Sequence, residues 1–411
     1  MPKLSFQKAR NLALSLIFAG LIFSAGYFLG NRGLGLNLSS FPKVSISRSL
    51  PANRQNVDFS LFWRVWDTLE SSYFDKAKIN EGEMVYGAIK GMVEALGDPY
   101  TSFLPPSENK ITQEDLSGSF EGVGIQIGFK GKQLAVIAPL PGSPAEEAGV
   151  RAGDFIVGVK DEGKNIDRGT VGISLPEAVE AIRGRAGSKV TLLLLRDGES
   201  EVILKEITRR KLSVPSLILA YIENGTIAHL KLLKFGAETE DEWNKVAREI
   251  LTKKEVKGLI LDLRNNPGGY LQAAVDVASD FVKTGSVVVI EERGDGTKTE
   301  FKSEKIGLFT KLPLVILVNE GSASASEILA GALRDINKTK IVGTQSFGKG
   351  TIQEPLQLQG GTGLHITVAK WLTPDGTWVN GSGLEPDVKI ENNEETAEDE
   401  QLQEAIKQLN G

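Results

Sequence analysis

Apolar positions along the chain fall into three successive rhythms. Between residues 58 and 96 the spacing is helical. Leu61, Phe62, Val65, Trp66 and Leu69 share one face of a helix expected over 58–74, and Met84, Ala88, Met92 and Ala95 one face of another over 81–96. Gly97-Asp98-Pro99 stops the second. From 120 to about 206, short alternating stretches are cut by glycine and proline. They predict a small β-rich domain with a short helix, a second helix over 175–183, and a hairpin of 189–196 with 199–206 around Asp197-Gly198. Beyond 209, apolar runs alternate with helical segments. Strands are expected at 226–235, 259–263, 287–291, 314–318 and 340–343, helices at 240–251, 271–282 and 327–334, and a hairpin piece at 299–301. That alternation predicts an α/β core with a mostly parallel sheet, because such strands are buried on both faces. Residues 361–390 add a strand and a Pro/Gly-rich return, and 392–411 read as an acidic, weakly helical peripheral tail.

The N-terminus carries a different pattern. Lys3, Lys8 and Arg10 precede an uncharged, mostly apolar stretch, 12–30. Its length matches the roughly 30 Å hydrocarbon core of a bilayer. Residues 1–32 therefore read as a signal anchor, with a cleaved signal peptide and a buried helix as alternatives. The basic flank predicts a cytoplasmic N-terminus and an extracytoplasmic body, held at the outer face of a membrane or secreted. The expected layout is this segment, a Ser/Gly/Pro/Asn-rich tether (33–56), an N-terminal helical region (57–115), the β-rich domain (116–206), the α/β core (207–391) and the tail (392–411).

Composition narrows the chemistry. The formal net charge of −6 and the lack of a basic patch give no case for nucleic acid. With no cysteine, disulfides and thiol catalysis are excluded, and with two histidines a three-histidine zinc site is excluded too. No metal or cofactor is expected. The glycine-flanked Lys349 is followed by Gly350, which breaks the phosphate-loop pattern. His229 and His365 lie in apolar strands and read as structural, and Asp262 reads as a strand-end residue that orients a turn.

What remains is a cluster of small hydroxyl residues at a strand-to-helix junction, Ser322, Ser324 and Ser326, and Lys349 after the next strand. An alcohol attacks a carbonyl only with a base to take its proton, and a lysine serves as that base only as the neutral amine. Spacing alone does not choose among the serines. Phe347 and Leu329 are candidates for desolvating the amine. Lys370, in a strand beside Trp371, is a weaker rival as base.

The motifs S-A-S-A-S-E (322–327) and F-G-K-G-T-I-Q (347–353), with D-P-Y-T (98–101), N-N-P-G-G (265–269) and G-S-G-L-E-P-D (381–387), resemble the C-terminal processing peptidase family. These are tail-specific serine proteases with a PDZ domain and a Ser-Lys dyad, and the likeness spans nearly the whole chain after the N-terminal segment. It implies Ser324 as nucleophile, Lys349 as general base and Gln353 as the lysine's neutral assistant. It also implies an oxyanion hole from the N–H of Ala325 with that of Gly268 or Gly269. The G-S-P-A-x-x-A-G run (142–149) resembles a PDZ domain, whose groove would use the loop Gly122, Val123, Gly124 and Ile125 and the helix residues Leu175, Val179 and Ile182. Backbone N–H groups of such a loop hold a C-terminal carboxylate while the tail adds as a strand. The implied function is an endopeptidase for protein or peptide substrates with free C-termini, tethered to a membrane by its N-terminus. A homodimer or higher homo-oligomer and a regulatory partner stay open, and the alternative is a non-catalytic PDZ scaffold that binds tails.

Overall fold

A computed structural model describes residues 58–196, 198–199, 201–392 and 398–410. The expected anchor (1–32) and tether (33–56) lie outside the described residues. No described helix is long and apolar enough to cross a membrane. The chain divides into a unit ending at Met84 and one beginning at Val85. In the first, the helix Ser60–Ser72 buries Trp66 but leaves Leu61, Val65 and Leu69 exposed, so the expected apolar face is largely uncovered.

In the second unit, the helix Pro106–Ser117 leads into the β-rich domain. Proline at its N1 position fits a helix start, since the missing N–H would be unbonded there. One sheet of the domain runs in the order Ile125–Lys130, Gln133–Pro139, Phe155–Asp161, Lys189–Leu195, Ile203–Thr208. Strand Ile125–Lys130 is therefore an edge. The helix Leu175–Ile182 starts on a capping box from Ser174 and Glu177. Val123, Ala178, Ile182 and Leu192 share the domain's core.

The α/β core is built on a sheet ordered Leu217–Ile222, Ile227–Leu232, Gly258–Asp262, Leu314–Val318, Lys340–Gly343, Val388–Lys389. All pairings after the first are parallel. Alternation explains the unbroken apolar runs. Leu259, Leu261, Ile316 and Val318 face a core shared with Trp243, Phe281, Leu329 and Leu333. Ile260, Val315 and Leu317 face the opposite side, packed with Ala405, Leu402, Ile406 and Leu409 of the helix Glu400–Asn410. The expected peripheral tail is thus the cover of one sheet face. Its polar look arises because only one stripe of that helix is apolar.

A second, antiparallel sheet was not expected. Gly363–Leu372 pairs with Thr351–Gln357, Val287–Arg293 and the short strand Ser102–Leu104. Residues 102–104, placed by sequence in the N-terminal helical region, belong to this sheet. A three-residue strand carries no periodicity to read.

Candidate active site

Three neighbouring parallel strands deliver three loops to one edge. Gly258–Asp262 leads to the Asn265–Gly269 turn, Leu314–Val318 to the serine cluster, and Lys340–Gly343 to the loop holding Lys349. The carboxyl ends of parallel strands are the usual place for a site in such sheets.

Geometry separates the three serines. Ser322 Oγ donates to the Leu263 carbonyl at 2.8 Å and Ser326 Oγ to that of Asn266 at 2.8 Å, and both residues are fully buried. They fasten the serine loop to the neighbouring turn. Ser324 is half-buried, and among the described residues its hydroxyl donates to no acceptor. Its φ of 54° is left-handed, which costs a non-glycine residue about 1 kcal/mol or more. The helix Ala325–Asn337 begins immediately after it. A sharp strand-to-helix turn of this kind presents a hydroxyl outward.

Glu327 joins this turn to the lysine loop. Fully buried, its carboxylate accepts from Ser324 N at 2.8 Å, Ser346 Oγ at 2.6 Å, Gly348 N at 2.7 Å and Lys349 N at 2.9 Å. The lysine backbone is held from the other side by two indoles. Trp371 Nε1 donates to Lys349 O at 2.9 Å and Trp378 Nε1 to Gly350 O at 2.8 Å. Glu327 was not read from the sequence as a site residue. The Ser324-x-x-Glu327 spacing was its only local signal.

The Lys349 ammonium lies with Nζ 5.1 Å from the centroid of the Tyr100 ring. Burial pushes its pKa below the ordinary lysine value, and the Asp98 and Glu327 charges oppose that shift. Of the residues expected to desolvate it, Phe347 is 55% exposed and Leu329 lies in the main core. Among the described residues no hydrogen bond joins Lys349 Nζ to Ser324 or Gln353. Gln353 Nε2 donates instead to Thr351 Oγ1 at 2.8 Å and Thr367 Oγ1 at 3.3 Å. Its amide oxygen remains the atom able to accept from a lysine. Two residues of the D-P-Y-T motif act on the lysine across the fold, Tyr100 through its ring and Asp98 through its charge.

The two glycines behave differently. Gly268 N–H donates to Asn266 Oδ1 at 2.9 Å, whereas Gly269 N–H has no partner among the described residues. A Cβ on Gly268 (φ 98°) would meet Ser324 Cβ at 2.9 Å and Ala325 N at 3.0 Å, so only glycine lets the turn approach the serine. His229 Nε2 is 3.1 Å from Asp262 Oδ2, and Asp262 is chelated by Arg264. Burial alone would raise the Asp262 pKa, but the Arg264 and His229 contacts hold it well below the usual carboxylate range. Lys370 pairs with Glu292 at 2.8 Å. His365 stands in the antiparallel sheet, where burial and then the Lys349 charge lower its pKa.

In the β-rich domain, Val123 and Ile182 are spent on the core. Gly122 and Gly124 are buried, while Ile125 and Val179 are half-buried and Leu175 is exposed. Of these last three, Ile125 begins the edge strand and packs partly against the core, and Val179 and Leu175 lie on the helix Leu175–Ile182.

Residues 226–390 match Peptidase family S41, 136–196 a PDZ domain and 23–106 the Activating protease CtpB N-terminal domain. The carboxy-terminal processing protease CtpA of Bacillus subtilis is 36% identical over 347 residues, which cover 84% of this chain and 72% of that protein. A CtpA-like serine protease of Staphylococcus aureus is 35% identical over 381 residues, 92% of this chain and 71% of that one. The structure of an S41 protease from Bacteroides fragilis, 16% identical, aligns with a TM-score of 0.50 over 84% of this chain and 92% of its own, a likeness of fold.

Proposed function

The chain belongs to peptidase family S41, among the C-terminal processing serine proteases, and from that premise we propose a tail-directed endopeptidase working through Ser324 and Lys349. The observation that carries the assignment is the state of the three serines. Two donate to backbone carbonyls, and the third stands at a left-handed turn tied by Glu327 to the lysine loop.

In this reading the neutral Lys349 amine takes the Ser324 proton as Oγ attacks the scissile carbonyl. The oxyanion receives hydrogen bonds from Ala325 N–H, at a helix N-terminus, and from Gly269 N–H. Of the two glycines, Gly269 is favoured because Gly268 N–H is already given to Asn266. Collapse forms the acyl-enzyme and expels the amine, to which Lys349 returns the proton. Water then hydrolyses the ester by the same base. Gln353 orients the amine through its carbonyl oxygen without charging it. Substrate tails pair with the edge strand Ile125–Lys130, their carboxylate at the 122–125 loop and their side chains against Leu175 and Val179. The body works outside the cytoplasm, held by segment 1–32.

Cleavage of an unfolded protein with a free apolar C-terminus tests this. Ser324→Ala and Lys349→Ala are each expected to lower kcat by a factor on the order of 10⁴ or more. Amidating the substrate's C-terminus is expected to raise KM. Cleavage that survives both variants refutes the dyad, and indifference to the amide refutes tail delivery.

A further inference from the structure

Lys349 is half-buried, and its Nζ has one organised neighbour. Among the described residues it makes no ion pair and no hydrogen bond, and the Tyr100 ring face lies 5.1 Å away. That ring is mounted firmly. Tyr100 N–H donates to Asp98 Oδ1 at 3.1 Å, and Thr101 Oγ1 donates to Asp98 Oδ2 at 2.6 Å. Thr101 Oγ1 also accepts from Thr367 N at 3.0 Å, and Ser102 pairs with His365 on the same strand. Thr367 is the residue whose hydroxyl accepts from Gln353. The bracket that carries Tyr100 and the strand that carries Gln353 are thus one hydrogen-bonded assembly.

We infer that Tyr100 is the resting seat of the Lys349 ammonium, a positioning residue that holds the base protonated and off Ser324 until a substrate fills the cleft. The inference rests on the reading of Lys349 as base. An aromatic face attracts an ammonium and gives a neutral amine no such attraction. The groups facing Nζ are Asp98 and Glu327, which favour the cation, His365, which disfavours it when charged, and the Tyr100 phenol itself. Burial acts against the cation. A bound substrate strips further water from Nζ, the proton passes to solvent, and the amine, no longer attracted to the ring, is free to reach Ser324 Oγ.

The test is the pH profile of kcat/KM for the full chain on an internally quenched peptide, between pH 5 and 10. The acidic limb reports loss of the Lys349 proton in the free enzyme. Tyr100→Leu removes the ring face, so the limb is expected about one pH unit lower, raising kcat/KM about tenfold on its acidic side. Tyr100→Phe keeps the ring and is expected to keep the limb where wild type has it. NMR titration of ¹³C-labelled lysine in a Ser324→Ala background reads the same downward shift directly. If the leucine variant does not fold, a ring-fluorinated phenylalanine at position 100 keeps the shape, weakens the ring's attraction and must still lower the limb. An unmoved or raised limb with Lys349→Ala inactive overturns the seat alone, as does a phenylalanine variant that shifts like leucine. Activity in Lys349→Ala overturns the seat and the dyad together.

Discussion

Glu327 holds four donors with two oxygens in a fully buried place, so its effect reaches both halves of the site. Glu327→Gln keeps the volume but replaces one acceptor with an N–H group aimed at other N–H groups. Loss of those bonds is expected to lower the unfolding free energy by about 3 kcal/mol, read from urea denaturation. The serine turn and lysine loop would then be free to drift apart, and kcat is expected to fall about 100-fold with little change in KM. A stable variant with wild-type kcat would show that the two loops hold their places without the carboxylate. At this scale the sequence offered a serine cluster and, through the family resemblance, Lys349 as candidates, and the structure ties the backbones of Ser324 and Lys349 to one carboxylate. The choice among three serines needed the family's register, and the hydroxyl bonds of Ser322 and Ser326 give it a physical basis. Tyr100 and Glu327 were not legible as lysine neighbours. Tyr100 lies 249 positions from Lys349 in the chain, and Glu327's partners arrive only when the next strand folds back.

Elements built on long periodic runs were readable, and short or one-sided ones were not. The parallel strands announced themselves because both faces are buried. The antiparallel sheet did not, since Thr351–Gln357 has no fully buried position and its last four residues are all exposed, and Ser102–Leu104 is too short to show a period. The helix Glu400–Asn410 was misjudged for its charge, yet Leu402, Ala405, Ile406 and Leu409 cover the sheet. Ala405→Asp would bury an unpaired charge there, and a stability loss of about 3 kcal/mol or more is expected in a denaturant series. Just ahead of that helix, Asp399 meets Arg264 at 2.7 Å, and Arg264 chelates Asp262. For both acids burial acts to raise the pKa, but hydrogen bonds to Arg264 prevail and hold it low. Carboxyls lowered on folding add stability that is present above their unfolded value, near pH 4, and is lost as pH falls through the folded value. Asp399→Asn is therefore expected to lower the melting temperature at pH 6 and to matter less at pH 2–3. An equal loss at both would remove the ionic account.

For the molecule as a whole, the helix Pro106–Ser117 is shared by the PDZ domain and the protease core. At the core, Asn109 Nδ2 donates to Gln357 Oε1 at 2.9 Å and to Gly361 O at 3.0 Å, and Gln357 ends the strand that begins two residues after Lys349. At the PDZ domain, Arg183 follows the helix Leu175–Ile182 and pairs with Glu114 at 2.8 Å, its guanidinium 4.9 Å from the Phe120 ring centroid. A partly buried ion pair stacked on an aromatic ring is a directional contact, and Phe120 itself leads into the 122–125 loop. Arg183 thus joins the loop-and-helix side of the PDZ domain to the shared helix. Arg183→Ala is expected to leave cleavage of a short amidated peptide within about twofold of wild type, as a partly exposed pair is worth only ~1 kcal/mol. The gain that a free C-terminus confers on a long substrate should fall several-fold in the same variant. An undiminished gain would mean that the PDZ domain only raises local substrate concentration, as a tethered binding module does without any contact to the catalytic core.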